Sequence, residues 1–154
     1  AMCGRECSSD GGSSDLAKGA KVVSGGKAPK GEKYVRGFFF EPTVLVDMTQ
    51  DMLVMREETF GPIAPIMGFD SVEEALTYAN DSPYGLVAYV YTRDVKTLFR
   101  AMEELECGTV GINNVAGGEF PYPYAGWKQS GLGVENSRYA IEQYVRLKHV
   151  RIEL

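Results

Sequence analysis

No apolar run in this 154-residue sequence approaches the ~20 residues needed to cross a bilayer, and no charged-then-apolar signal pattern opens it. That excludes a spanning helix and leads us to expect a soluble, cytoplasmic protein with no membrane partner. A strong charge of one sign is also missing. Sixteen basic against 21 acidic residues give a net charge of -5, and the basic residues are scattered, so no nucleic-acid footprint is expected. Cysteine is scarce and odd in number: Cys3, Cys7 and Cys107, the first two in a Gly/Ser-rich stretch, make no disulfide framework. Cys3-x3-Cys7 has no second pair and His149 is the single histidine, so a four-ligand zinc site, or any metal site, is not expected.

What remains suits one domain with a real core, burying roughly 70% of its unfolded surface. Residues 1–15 are polar, Gly/Ser-rich and aperiodic, and are expected to be a disordered or unrelated leader. Lys21–Ser24 reads as a short strand and Phe38–Val46 as a longer one, with a charged Gly/Pro loop between. Ile63–Phe69 is an apolar run. Val72, Ala75, Leu76 and Ala79 then fall at helical spacing behind a Ser71/Glu74 capping box. Leu86–Tyr91 is a continuous apolar strand of the kind covered on both faces. Thr92-Arg93-Asp94 opens a helix with Val95, Leu98, Phe99, Met102 and Leu105 along one side, Gly108 ends it, and Thr109–Asn113 is a further strand. Strand, helix, strand, helix, strand builds a small parallel sheet with helices against it. A short helix is expected around Asn136–Tyr144. At the chain's end Val150, Ile152 and Leu154 share one face and His149, Arg151 and Glu153 the other, an amphipathic strand that wants a partner within the chain or in a second copy.

The chain is organised around Glu57-Glu58-Thr59-Phe60-Gly61-Pro62, which ends a helical turn over Met52–Glu57 and is broken out of helix by Gly61-Pro62. Composition alone allows two readings. One is an ordinary helix-to-strand turn with solvated glutamates; the other is a carboxylate and a ring held side by side for a polyhydroxylated ligand.

Several motifs, in order, resemble one family. Phe40-Glu41-Pro42-Thr43-Val44, Arg56 to Pro62, Asn80-Asp81-Ser82-Pro83-Tyr84-Gly85-Leu86, Gly108 to Asn113 and Gly126-Trp127-Lys128-Gln129-Ser130-Gly131-Leu132-Gly133 are similar to segments of the NAD(P)-dependent aldehyde dehydrogenases. Tyr139 to Tyr144 and Leu147-Lys148-His149-Val150 resemble that family's final helix and oligomerisation strand. The resemblance implies an α/β fold, with a parallel or mixed sheet and packed helices, corresponding to the C-terminal part of the catalytic domain. It implies a leader over 1–15, a partial catalytic domain over 16–144 and a terminal oligomerisation strand over 145–154, hence a homo-oligomer. It further implies that Glu58 accepts hydrogen bonds from the ribose hydroxyls of NAD or NADP, that Phe60 stacks near the nicotinamide, and that Phe120 and Tyr124 line the aldehyde entrance. Pro123-Tyr124 stands where the family often has Pro-Phe. Asn113 is left as structural.

Such an enzyme needs a cysteine thiolate, amide donors for the oxyanion and a glutamate to activate water. In the family these, and the dinucleotide-binding domain, precede the Glu-Glu-x-Phe-Gly-Pro motif, so no residue here is assigned as catalytic. Cys107 sits at a helix end, where the dipole raises a thiol pKa. Gly131-Leu132-Gly133 lacks the third glycine of a dinucleotide fingerprint and reads as a turn into a helix. Asn80-Asp81-Ser82 is a sequon without a secretory context, and His149 reads as a solvated side chain. Two functions follow: a fragment of aldehyde dehydrogenase lineage, inactive alone and binding no cofactor tightly, or a non-catalytic binding or assembly module that oligomerises through its terminal strand.

Overall fold

The computed structural model describes residues 12–115 and 120–154. Cys3, Cys7 and most of the expected leader lie outside the described residues. Where one domain is expected over 16–144, the chain divides at Asp70/Ser71 into two compact units. Each has its own small cluster of buried apolar side chains, which accounts for the division.

The first unit begins before the expected boundary, with α1 at Gly12–Ala17. Asp15, placed in the leader by its polar neighbours, is fully buried. Strands β1 (Lys21–Ser24), β2 (Thr43–Val46) and β3 (Ile63–Pro65) form a sheet in that order, β1 antiparallel and β3 parallel to β2. A single 3-10 turn, Glu32–Tyr34, lies in the loop between β1 and β2. The long strand expected from Phe38 shortens to Thr43–Val46. Pro42 has no N–H to give a ladder, and Thr43 fixes the start instead: its N–H donates to Pro62 O (2.8 Å), and its buried hydroxyl donates to Glu41 O (2.8 Å) and accepts from Gly26 N–H (2.8 Å). Between β2 and β3 runs one helical turn, α2 (Leu53–Arg56). Ala20, Leu45, Met48 and Met52 are the core, flanked by Val54, Met55, Ile63 and Met67.

In the second unit, α3 (Val72–Asn80) starts where the capping box placed it, Ser71 Oγ accepting from Glu74 N–H at 3.1 Å. Strand β5 (Val87–Val90), helix α4 (Val95–Glu104) and strand β6 (Thr109–Ile112) form a parallel βαβ unit, Val87 opposite Thr109 through Val90 opposite Ile112. Among the described residues β3 pairs with β2 in the first unit, and β5 with β6 in the second. Strand β5 is not covered on both faces, since Tyr89 is exposed. Helix α4 turns Ala101 into the core with Leu76 of α3, joined by Leu105 directly after the helix, while Val95, Phe99 and Met102 of its expected stripe stay exposed. Arg100 bridges the two helices, donating to both oxygens of Glu104 (2.6 and 2.9 Å) and to Glu73. Three short pieces, β4 (Tyr84–Gly85), β7 (Tyr124–Ala125) and β8 (Trp127–Lys128), precede β9 (Val134–Glu135) and α5 (Arg138–Glu142). Gly131 to Gly133 turn as expected, and before the helix the chain adds β9, antiparallel to β7 and held by Gln143, whose side-chain amide bonds both Val134 N–H (3.0 Å) and Val134 O (2.6 Å). Residues 145–154 have no regular secondary structure and are exposed on both expected faces.

Candidate functional site

The corner that carries Glu58 and Phe60 is pinned at both ends. Upstream, α2 has no side-chain cap of its own at Met52. The Asp15 carboxylate supplies one, Oδ1 accepting from Leu53 N–H (2.8 Å) and Oδ2 from Val54 N–H (3.0 Å). At the other end of the turn Glu57 N–H closes on Leu53 O (2.9 Å), and Glu57 leaves the helix extended, with φ -105° and ψ 144°. Downstream, Gly61 N–H donates to Thr59 O (2.9 Å), Pro62 O accepts from Thr43, and Ile63 enters the β2–β3 ladder.

Between these anchors the chain alternates. Glu58 is exposed, Thr59 half-buried and Phe60 exposed at 79%. Glu58 and Phe60 therefore both meet solvent, while Thr59 between them is partly covered. Exposing a phenyl ring of this size forgoes ~1.5–3 kcal/mol of burial. An open carboxylate can accept from two vicinal hydroxyls, and an open ring can lie against a flat heterocycle.

The expected aldehyde-entrance residues lie in the second unit. Phe120 is 81% exposed, and Tyr124 is half-buried in β7 opposite Glu135. Around Tyr124 and Ala125 the sequence motifs converge, which spacing did not reveal. A Cβ at Gly108 would lie 1.7 Å from Ala125 O, and one at Gly85 would lie 2.5 Å from Glu106 O, so both positions need glycine for close backbone approach. Lys128 ties the pieces together. Its Nζ donates to Asn80 O (2.6 Å) and Ser82 O (3.2 Å) and pairs with Glu106 (2.7 Å). Ser130 Oγ accepts from Gly85 N–H at 3.0 Å. Lys128 and Ser130 thus tie β8 to the segment from Asn80 to Gly85, and their presence in the glycine-bearing motifs was their signal in the sequence.

The remaining expectations resolve residue by residue. Asn80 is not a free sequon, because its amide donates to Glu104 O (2.7 Å) and accepts from Glu106 N–H (2.9 Å). Asn113 is structural, its side chain accepting from Thr92 N–H (3.0 Å) and donating to Thr92 O (2.9 Å). The Cys107 thiol is pushed up, as expected, but chiefly by burial rather than by the helix dipole, and its Sγ donates to Thr109 O at 3.2 Å. His149 is exposed. Among the described residues no group of three His, Cys, Asp or Glu could hold a metal, and no helix is long and apolar enough to cross a membrane.

Known proteins are similar to this chain in sequence and in shape. The aldehyde dehydrogenase family profile matches residues 13–150. Mitochondrial succinate-semialdehyde dehydrogenase of Homo sapiens is 47% identical over 135 residues, which is 88% of this chain and 24% of the relative. Glutarate-semialdehyde dehydrogenase of Pseudomonas aeruginosa is 46% identical over the same length, covering 27% of that protein. The crystal structure of betaine aldehyde dehydrogenase from Staphylococcus aureus in complex with NAD+ superposes with a TM-score of 0.85 at 35% identity, over 94% of this chain and 29% of that one. The chain thus spans about a quarter of the length of the curated relatives it matches. Its mixed α/β pieces are those of an aldehyde dehydrogenase catalytic domain, and with the match covering nearly every described residue, the chain belongs to the aldehyde dehydrogenase family.

Proposed function

We propose that these residues form the C-terminal part of an aldehyde dehydrogenase catalytic domain and serve the NAD(P)-dependent oxidation of an aldehyde to an acid. The observation that carries the reading is the outward pair Glu58 and Phe60 on a corner anchored at both ends. Glu58 accepts from the ribose hydroxyls with an ionised carboxylate, and Phe60 lies against the nicotinamide ring and restricts it. The bound cofactor supplies the hydride acceptor. Phe120 and Tyr124 line the aldehyde entrance, with Tyr124 set by the β7–β9 ladder.

By itself the chain is inactive and binds NAD or NADP weakly, because one carboxylate and one ring do not offset the cost of ordering a dinucleotide. Cys107 does not substitute as nucleophile: burial favours its neutral thiol and its Sγ is bonded to backbone. The test pairs two proteins. The 154-residue chain is assayed for NAD-dependent oxidation of succinate semialdehyde beside a chimera in which residues 13–150 replace the matched stretch of the human relative. Turnover by the chimera and none by the chain is the expected result. Turnover by the chain that Cys107→Ser abolishes overturns the assignment of an inactive part.

A second reading, an assembly module, is favoured by residues 145–154, which are exposed and join no ladder among the described residues. In it, Val150, Ile152 and Leu154 add as an edge strand to a second copy, giving a homo-oligomer. Removing residues 146–154 converts that oligomer to a monomer by light scattering; a chain already monomeric at high concentration removes the reading.

A further inference from the structure

We infer that Asp15 is a positioning residue for the corner bearing Glu58 and Phe60, acting through α2. This rests on the reading of that corner as the cofactor edge. Asp15 is fully buried, and its two oxygens are taken up by Leu53 N–H and Val54 N–H, the first two amides of α2. A helix of four residues cannot persist on its own hydrogen bonds. Side chains hold this one: Met52, fully buried in the core, fixes where the turn sits, Arg56 Nε donates to Gln50 O (2.6 Å) at its far end, and Asp15 fixes which way its first amides point. The direction of the turn sets where Glu57 leaves it, and Glu58 to Phe60 follow directly. The downstream anchor, the β2–β3 ladder, does not depend on Asp15. Losing Asp15 therefore loosens one end of the corner and leaves the sheet in place.

Asp15→Asn tests this, since it keeps the shape but turns one acceptor into a donor facing a donor. In the 154-residue chain we expect the Glu57 amide, bonded to Leu53 O, to exchange at least about tenfold faster, while amides of β1 and β2 keep their rates. Equal acceleration across the unit, or none at Glu57, overturns the proposal. Leu53→Pro supplies a rescue. Leu53 is the first helical residue, where proline needs no cap for its missing N–H, and Met52 before it already has φ -75° and ψ 144°. Leu53→Pro in the Asp15→Asn background is expected to restore slow exchange at Glu57. In the chimera, Asp15→Asn is expected to raise KM for NAD several-fold with KM for aldehyde unchanged. Parallel changes in both KM values and kcat overturn it as a positioning residue. If Phe60→Ala also leaves KM for NAD unchanged, the cofactor-edge reading fails instead, and exchange at Glu57 alone then decides the role of Asp15.

Discussion

The two units start their helices in opposite ways. In the second, α3 and α4 are capped from the residue directly before them: Ser71 accepts from Glu74 N–H, and Asp94 Oδ2 accepts from Thr97 N–H (2.7 Å) and Thr97 Oγ1 (2.6 Å). In the first, α2 has no cap beside it and takes one from Asp15, 38 residues away. The locally capped helices pack a core. The remotely capped turn presents the exposed Glu58 and Phe60. Local caps make a helix start robust and self-contained, whereas a remote cap makes the geometry of a functional corner depend on a distant part of the chain.

The sharpest way to break the comparison is at the close backbone approach in the second unit. Gly108→Ala puts a Cβ 1.7 Å from Ala125 O, and backbone cannot yield as a side chain can. We expect a loss of more than about 3 kcal/mol by urea unfolding, with the second unit failing first. Asp15→Ala comes next, leaving two amides without their charged acceptor, and should cost about 3 kcal/mol, read in the first unit. Ser71→Ala removes one local cap and should cost about 1 kcal/mol, confined to exchange in α3. A Ser71 effect as large as that of Asp15 would erase the distinction between near and far caps. Glu58→Ala should change stability by less than about 0.5 kcal/mol, because an exposed side chain kept for a ligand contributes little to the fold.

The smallest effect is one of pH. The Asp94 carboxyl is held below the usual carboxylate range, first by the Thr97 hydroxyl and then by the Thr97 amide. A depressed folded pKa means that its contribution is complete above the unfolded value of about 4 and fades as pH falls through the lower folded one. Exchange in α4 should therefore quicken as pH drops below about 4. Asp94→Asn, which keeps a capping oxygen, should flatten that dependence.

How much could be read beforehand follows from the same contrast. The Ser71/Glu74 box and Asp94 lie beside the helices they start, so pattern alone located where α3 and α4 begin, although α4 ends at Glu104 rather than running to Gly108. The corner from Met52 to Pro62 was legible because Gly61-Pro62 is a local breaker. Asp15 was not, since a lone aspartate after Gly and Ser looks like a loop, and its two partners come from a strand and a turn later. Helix α4 misled differently. Val95, Phe99 and Met102 have the periodicity of a buried face, yet in this chain only Ala101 and Leu105 are fully covered. Periodicity says that a face is apolar, not what lies against it. The roles of Lys128 and Ser130 are not legible in the sequence, because their partners at Asn80, Ser82 and Gly85 are non-local.

The central claim is that Glu58 and Phe60 are a cofactor edge, and the most direct measurement is KM for NAD in the chimera carrying Phe60→Ala. Phe38→Ala is the control, an equally exposed ring in the same unit but off the corner. The account expects Phe60→Ala to raise KM for NAD about tenfold, a loss of ~1.4 kcal/mol in cofactor binding, with KM for aldehyde and the Phe38→Ala protein unchanged. A KM for NAD that does not move in Phe60→Ala, or that moves equally in Phe38→Ala, contradicts it.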